Sequence, residues 1–504
     1  MRDKFYITTP IYYVNASPHI GHSYTTITAD CLSRHMRKIL GDERVWFLTG
    51  TDEHGQKIQK AADEAKLSPQ DFVDRTVSQF KALWEKLDIS YNDFIRTTEE
   101  RHILTVQKVL EILEGRKQIY AAKYEGWYCM PCETFWTQTQ LQDQNCPDCK
   151  RPLEKICEKN YFFKLSSHQN WLIEYIKNHP HFIEPENRYN EVLSFLELNK
   201  LTDLCISRPK ERLAWGIPLP FSSEHVTYVW FDALINYISA VGNFDSNGNY
   251  NSKWWPADLH LIGKDILRQH AVYWPIILRA LDIEQPKTIF AHGWWLIGDT
   301  KMSKSIGNVV SPLEMADKFG IDVYRYFLMR DVPFGLDGNF SQEAITKRFN
   351  SDLANDLGNL VYRTLTMIEK YFQGNIPNKV SLKLDEHGER IEQKLKTISQ
   401  EVSLLLEAQH SFNFSLALEK IWELVNMANK YIEDKKPWNL AKQNKIDELG
   451  AFISLLVEAI RLISDQIYPF MPRTSDSIKE QLGETIIKKG NPLFPRIENG
   501  ACPG

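Results

Sequence analysis

The chain has 504 residues, 43% of them hydrophobic and 25% charged, which excludes a disordered chain, a collagen and a disulfide miniprotein. Its 60 lysines plus arginines face 65 aspartates plus glutamates, a formal net charge of −5. A chain of that sign does not coat nucleic acid as a polycation, so any nucleic-acid partner is expected to be held by a local patch or by specific contacts. No run of about 18 apolar residues lacks charge, so no spanning helix and no membrane partner are predicted. The first seven residues lack the apolar core of an export signal, and a cytoplasmic protein is expected.

Phe5 to Ile11 is a β-rich run, and a helical stretch follows from about His22 to Lys38. Val45 to Leu48 reads as a second buried strand, leading into Gly50-Thr51-Asp52-Glu53-His54-Gly55 and a helix. Phe72, Val73, Val77, Phe80, Leu83, Trp84 and Leu87 share one face of a further helix. Such alternation predicts a parallel sheet covered by helices. Residues 119–226 hold paired cysteines and many aromatics but no long helical pattern, and are predicted to be an insertion. From Thr227 the alternation resumes, with Trp230 to Tyr237, a strand at His260–Ile262 and another at Ile289–His292. Beyond about Ser311 the chain turns helical. Leu353, Leu357, Leu360, Val361 and Ile368 form one apolar stripe, Phe414 to Ile432 a second and Phe452 to Ile467 a third, which predicts a bundle. The polar, proline-containing stretch from Gly374 to Arg390 predicts a connector.

Three patterns carry chemistry. His19-Ile20-Gly21-His22 opens a helix just after the first strand, where backbone N–H groups and the helix dipole favour an anion. Taken alone it reads equally as two histidines capping a helix. Lys301-Met302-Ser303-Lys304-Ser305 places two ammonium groups on a loop, suited to charge developing on a pyrophosphate leaving group or, more blandly, to a solvated surface. Cys129-Met130-Pro131-Cys132 and Cys146-Pro147-Asp148-Cys149 give C-x2-C-x13-C-x2-C, a spacing that suits one tetrahedral Zn²⁺ with no open ligand position. Such a site would be structural, with disulfides or unrelated thiols as the alternative. The remaining Cys31, Cys157, Cys205 and Cys502 have no partner spacing and are read as structural.

The two basic motifs together resemble a class I aminoacyl-tRNA synthetase. Thr9-Pro10-Ile11-Tyr12-Tyr13-Val14-Asn15, the Gly50–Gly55 run, Tyr228-Val229-Trp230-Phe231-Asp232-Ala233 and Ile262-Gly263-Lys264-Asp265-Ile266 narrow the resemblance to the methionyl-tRNA synthetase family. Asn359, Arg363 and Lys436-Pro437-Trp438 extend it into the helical part. The resemblance implies an α/β fold with a split Rossmann-like parallel-sheet catalytic domain, a zinc-knuckle insertion and an α-helical anticodon-binding bundle. The expected boundaries are 1–118 and 227–310 for the catalytic halves, 119–226 for the insertion, 311–352 for a stem-contact linker and 353–504 for the bundle.

The implied reaction joins L-methionine to ATP·Mg²⁺, releases pyrophosphate, and passes the methionyl group to tRNA(Met). By resemblance His19, His22, Lys301 and Lys304 serve the transition state and the leaving pyrophosphate, while Gly21, Gly263, Lys264 and Asp265 meet the nucleotide. Ile11, Tyr13, Trp230, Ala233, Leu234, Tyr237 and His270 would line the methionine side chain; the spacing of Trp230, Ala233, Leu234 and Tyr237 places them on one face of a helix. Asp52 would hold the substrate ammonium and keep Arg208 beside it. Leu234 and Gln269 depart from relatives that carry proline and phenylalanine there. The insertion, about 100 residues, is too short for an editing domain. Asn359, Arg363 and Trp438 would read the anticodon, and Cys129, Cys132, Cys146 and Cys149 would hold one structural zinc. Some relatives continue into a dimerising extension that this sequence lacks, so a monomer is expected.

Overall fold

The computed structural model describes residues 3–15, 17–129, 134–136, 145–147, 150–298, 300–301, 310–379, 384–407 and 412–496. They divide into two compact units, residues 1–18 with 39–291, and residues 19–38 with 292–504.

In the first unit β1 (Phe5–Tyr13) leads to helix α1 (Ile20–Leu40), whose residues cluster with the second unit. Then come β2 (Val45–Asp52), helices α2 (Gln56–Ala65) and α3 (Pro69–Lys86), β3 (Asp93–Arg96) and α4 (Glu100–Gly115). Helix α3 starts where it does because the Ser68 hydroxyl accepts from the Asp71 N–H at 3.1 Å and Pro69 supplies a helical φ. Its buried face holds Val73, Val77, Phe80, Leu83 and Trp84, as the periodicity predicts.

Next in the chain come β4 (Ile119–Cys129), β5 (Thr134–Trp136), β6 (Glu154–Phe163), α5 (Gln169–Asn178), β7 (Ile183–Glu184), α6 (Glu186–Leu198), β8 (Leu204–Cys205) and β9 (Ser207–Pro209). Strands β4, β5, β6 and β8 form one antiparallel sheet. The expectation that residues 119–226 carry no long helix is corrected by α5 and α6. Their apolar anchors are few, Leu172 and Ile176 in one and Val192 and Leu196 in the other, which is why no stripe stood out. The rest of the unit comprises β10 (Pro218–Leu219), β11 (Ser222–Thr227), α7 (Val229–Leu234), α8 (Asn236–Ser239), β12 (Asn243–Phe244), β13 (Tyr250–Asn251), β14 (Leu259–Gly263), α9 (Trp274–Ala280) and β15 (Ile289–His292).

The main sheet has the order β3-β2-β1-β14-β15-β7. The pairs β2–β3, β1–β2, β1–β14 and β15–β7 are parallel. Most residues of β1 and β2 are buried, the pattern of strands covered on both faces.

The second unit holds α1, a small sheet of β16 (Trp295–Ile297), β17 (Thr300–Lys301) and β18 (Gly338–Asn339), and the helical part. The helices are α10 (Pro312–Phe319), α11 (Ile321–Arg330), α12 (Gln342–Arg348), α13 (Asn359–Phe372), α14 (Glu386–Leu405), α15 (Phe414–Lys435), α16 (Pro437–Lys442), α17 (Ile446–Ile467) and α18 (Pro472–Leu482). The three predicted stripes fall on a π-wound turn at Phe349–Gly358 running into α13, on α15 and on α17. Helix α14 was not predicted, and it begins inside the expected connector. The Asp385 carboxylate accepts from the Gly388 N–H at 3.0 Å and pairs with Lys435 at 2.7 Å, fixing the helix start. No helix among the described residues is long and apolar enough to cross a membrane.

Candidate active site

The sheet order reverses at the β1–β14 pair, because the chain runs outward through β2 and β3 and returns on the other side. In an open α/β sheet a ligand sits beyond the carboxyl ends of the strands at such a switch point. Ile11 and Tyr13 lie at that end of β1, Asp52 ends β2 in register with Tyr13, and Gly263 ends β14. Lys264 and Asp265 follow in a short 3₁₀ turn.

Trp230, Ala233 and Leu234 lie on α7 and Tyr237 on α8, so the single helix face expected for them is corrected to two short pieces. Ile235 sits at ψ −15°, and the bonds there run to the third residue back, Ile235 N–H to the Asp232 carbonyl and Ile238 N–H to the Ile235 carbonyl, both at 3.1 Å. Ala233, Leu234, Tyr237 and His270 are buried, while Ile11, Tyr13 and Trp230 are half-buried. The Tyr237 hydroxyl donates to His270 Nε2 at 2.7 Å, and His270 Nδ1 donates to the Ile266 carbonyl at 2.9 Å. Burial pushes His270 down to about 4 and raises the Tyr237 phenol, so both are neutral at pH 7. A neutral, aromatic wall suits a polarisable thioether.

The buried imidazoles set an acid limit on stability. Burial lowers His270 and His35 from 6.5 to about 4, and places His260 well below its usual value. The unfolded chain takes up protons near 6.5 that the native protein refuses until about 4. The stability these groups contribute is therefore complete above 6.5 and drains away as pH falls toward 4. Urea midpoints are expected to be lower at pH 5 than at pH 7.5; an unchanged or higher midpoint at pH 5 would contradict this.

Arg208 on β9 is buried. Its Nη1 donates to the Ser207 carbonyl at 2.7 Å and to Cys205 Sγ at 3.5 Å. The guanidinium carbon stands 4.5 Å from the Tyr228 ring centre and 5.3 Å from that of Tyr128. Sequence reasoning missed both rings. Tyr228 begins the Tyr228–Ala233 motif and Tyr128 precedes Cys129, but nothing in either position announces an arginine partner. Also missed was the lock on Glu53, beside Asp52. Its buried carboxylate accepts from Arg96 Nε at 2.7 Å and Nη2 at 2.9 Å, from Thr51 at 2.6 Å and from Thr98 at 2.7 Å.

In the second unit His19 and His22 stand at the start of α1 with ring centres 3.9 Å apart and planes at 24°. The Gly21 N–H donates to His19 Nδ1 at 3.1 Å and the His19 N–H donates to His22 Nδ1 at 3.2 Å. The Ile20 N–H donates to the Val310 carbonyl at 3.3 Å. A Cβ on Gly21 would lie 2.9 Å from His19 Cε1, so the missing side chain leaves room for the His19 imidazole. Lys301 ends β17, with only its backbone described, and Lys304 lies outside the described residues.

Of the four predicted metal ligands, Cys129 and Cys146 are described and Cys132 and Cys149 lie outside the described residues. Cys129 and Cys146 are both buried and share one small cluster with Trp127 and Leu153. The chain turns tightly at the second pair: the Cys146 N–H donates to the Arg151 carbonyl at 2.9 Å and the Lys150 N–H to the Cys146 carbonyl at 2.8 Å. Two cysteines 17 positions apart, one from each predicted pair, thus share one cluster. Among the described residues no group of three or more ligand-type side chains that could hold a metal ion gathers.

On the helical bundle Asn359 is exposed, Arg363 half-buried and Trp438 43% exposed. Trp438 is therefore not a core residue. Helices α13 and α16, which carry these residues, both pack on α17. Tyr362, 41% exposed beside Arg363, is a further aromatic on α13 that the stripe analysis passed over.

Residues 5–365 match the family model described as tRNA synthetases class I (M). The methionine–tRNA ligase of Clostridium tetani is 48% identical over 516 residues, covering 99% of this chain and 79% of that protein. That of Caldanaerobacter subterraneus subsp. tengcongensis is 48% identical over 518 residues, covering 99% and 80%. The structure of Mycobacterium tuberculosis methionyl-tRNA synthetase in complex with methionyl-adenylate aligns with a TM-score of 0.91 at 37% identity, covering 98% of this chain and all of the other. With the motifs at strand ends and at a helix start, and with relatives matched along almost its whole length, the chain belongs to the class I methionyl-tRNA synthetase family.

Proposed function

We propose that the chain is a methionine–tRNA ligase. It activates L-methionine with ATP to methionyl adenylate and pyrophosphate, then transfers the methionyl group to the terminal ribose of methionine tRNA. The observation that carries this is the 48% identity to methionine–tRNA ligases over 99% of the chain. The neutral Tyr237–His270 wall supports methionine as the side chain accepted. In this reading His19 and His22 bind the phosphates of ATP, which enters with Mg²⁺, and Lys301 and Lys304 hold the departing pyrophosphate. Gly263 and Lys264 meet the nucleotide, Asp265 accepts from the ribose hydroxyls, and Asp52 binds the substrate ammonium. In-line displacement at phosphorus needs positioning and charge stabilisation more than covalent help. Methionine alone of the twenty amino acids is expected to support ATP–pyrophosphate exchange. Equal exchange with another amino acid, or none in zinc-replete protein, would overturn the assignment.

The meeting of Cys129 and Cys146 supports one structural Zn²⁺ held with Cys132 and Cys149, bracing the insertion. Metal analysis should give one zinc per chain; zinc-free pure protein with four titratable thiols would refute it. The exposure of Trp438 supports anticodon reading, with Trp438 stacking on a base and Asn359 and Arg363 bonding to base edges. Stacking is worth about 1–3 kcal/mol per base, so Trp438→Ala is expected to lower the charging efficiency for tRNA about 5- to 150-fold. Methionine-dependent exchange should stay at the parental rate. Parallel loss of both activities would count against an anticodon role.

A further inference from the structure

Asp232 lies between Phe231 and Ala233 on α7, fully buried, and no substrate role falls on it. Its Oδ2 accepts from His54 Nδ1 at 2.7 Å and its Oδ1 from His102 Nε2 at 2.7 Å. His102, on α4, is fully buried as well, and His54 nearly so. His102 Nδ1 faces the Ser239 hydroxyl on α8 at 2.8 Å. Burial alone would raise the Asp232 carboxyl, yet the two imidazoles hold it below its usual value, so it is a carboxylate at neutral pH. A carboxylate only accepts, so each imidazole nitrogen that faces it carries a proton.

The geometry points to Asp232 as a positioning residue for recognition of the amino group of methionine. This inference rests on the reading of Asp52 as the ammonium ligand. Asp52, Glu53 and His54 are consecutive. Glu53 is locked from one side by Arg96, and His54 is locked from the other by Asp232. The backbone that carries Asp52 is thereby tied to α7, the helix that supplies Trp230, Ala233 and Leu234 to the pocket. His102 and Ser239 fix the far side of the same carboxylate, so its position is set by α4 and α8 as well. A pocket wall and an ammonium ligand that come from different strands and helices need such a tie to stay in register. Misplacement by about 1 Å is enough to lose about 10²-fold in efficiency.

The test compares Asp232→Asn and His102→Asn with the parent protein. Binding of L-methionine and of its desamino analogue, 4-(methylthio)butanoate, is measured by calorimetry, alongside exchange kinetics. Asp232→Asn is expected to weaken methionine about 10²-fold, with the KM for ATP and the affinity for the desamino analogue unchanged. His102→Asn, whose shorter amide cannot reach the Nε2 position and so loses the Asp232 bond while the His54 bond stays in place, is expected to weaken methionine about tenfold with the same selectivity. Parental methionine affinity in both variants would overturn the inference. So would equal weakening of methionine and analogue, which is what a merely collapsed pocket gives. If Asp232→Asn does not fold, His102→Asn decides by the same ratio. Failure of the parent protein to show methionine-dependent exchange would instead refute the proposed function, so the two failures are separable.

Discussion

Asp30→Asn is expected to destabilise the second unit by about 3–5 kcal/mol, the range for breaking a buried ion pair by removing one partner. Asp30 sits on α1, fully buried, and its Oδ2 takes two guanidiniums at once: Arg34 Nε at 2.8 Å and Arg325 Nη2 at 2.6 Å. Arg325, fully buried on α11, also donates to the carbonyls of Phe470 at 2.9 Å and Pro469 at 3.0 Å, and Arg34 donates to the Tyr468 hydroxyl at 3.2 Å. One carboxylate therefore joins α1 to α11 and, through Arg325 and Arg34, to the turn after α17. Asparagine keeps the shape but removes the charge that both guanidiniums share and leaves them to repel each other. Urea unfolding of the single variant, of Arg325→Met and of the Asp30→Leu, Arg325→Met pair should show large losses for the singles and substantial recovery for the double, because an apolar pair of similar volume is often tolerated in such a place. A shift below about 1 kcal/mol for Asp30→Asn would show that the cluster adds no stability.

That cluster was not legible in the sequence, although half of it was. Asp30 and Arg34 are four apart on a predicted helix, a spacing that ordinarily means a solvated pair. Arg325 is 295 positions away, and no local pattern marks which charge on a helix face will be buried. The same limit hid the Glu53–Arg96 lock and the Asp232 bridge, since each joins residues that only the sheet topology brings together. The strand runs at Phe5, Val45 and Ile289 were legible, because strands covered on both faces must read as apolar runs. So were the three long bundle helices, whose stripes are wide. Helix α14 was not. Its buried face is thin, with Ile391, Ile398 and Val402, and its first turn lies in polar sequence that resembles a linker. The helix break at Ile235 was also invisible, because a 3₁₀-type bond there changes the winding without changing the periodicity of the side chains around it. Of the site itself, the motifs showed which residues to examine. They could not show that the His19 ring folds over Gly21, or that Arg208 lies between two tyrosines.

His22→Ala is expected to lower the rate of methionine activation about 10²- to 10³-fold, the cost of removing one donor aimed at developing negative charge. The hydrogen bonds fix what each imidazole presents. Both Nδ1 atoms accept from backbone N–H groups, at 3.1 Å for His19 and 3.2 Å for His22. A ring whose Nδ1 accepts carries its proton on Nε2. The start of α1 thus carries two imidazoles fixed through Nδ1 at the positive end of a helix dipole, where in the proposed reaction the phosphate charge of an in-line displacement would grow. The amide nitrogen of glutamine can stand near the Nε2 position and that of asparagine near Nδ1. His22→Gln should therefore retain more activity than His22→Asn, and the methionine KM should move in neither. Gly21→Ala tests the same geometry from the other side. Its new methyl would meet His19 Cε1 at 2.9 Å and push the ring out of its bond to the Gly21 N–H, which is expected to lower the activation rate about 10²-fold while the protein stays folded. Equal activity of His22→Gln and His22→Asn, or full activity of Gly21→Ala, would mean that these rings do not act through fixed Nε2 donors.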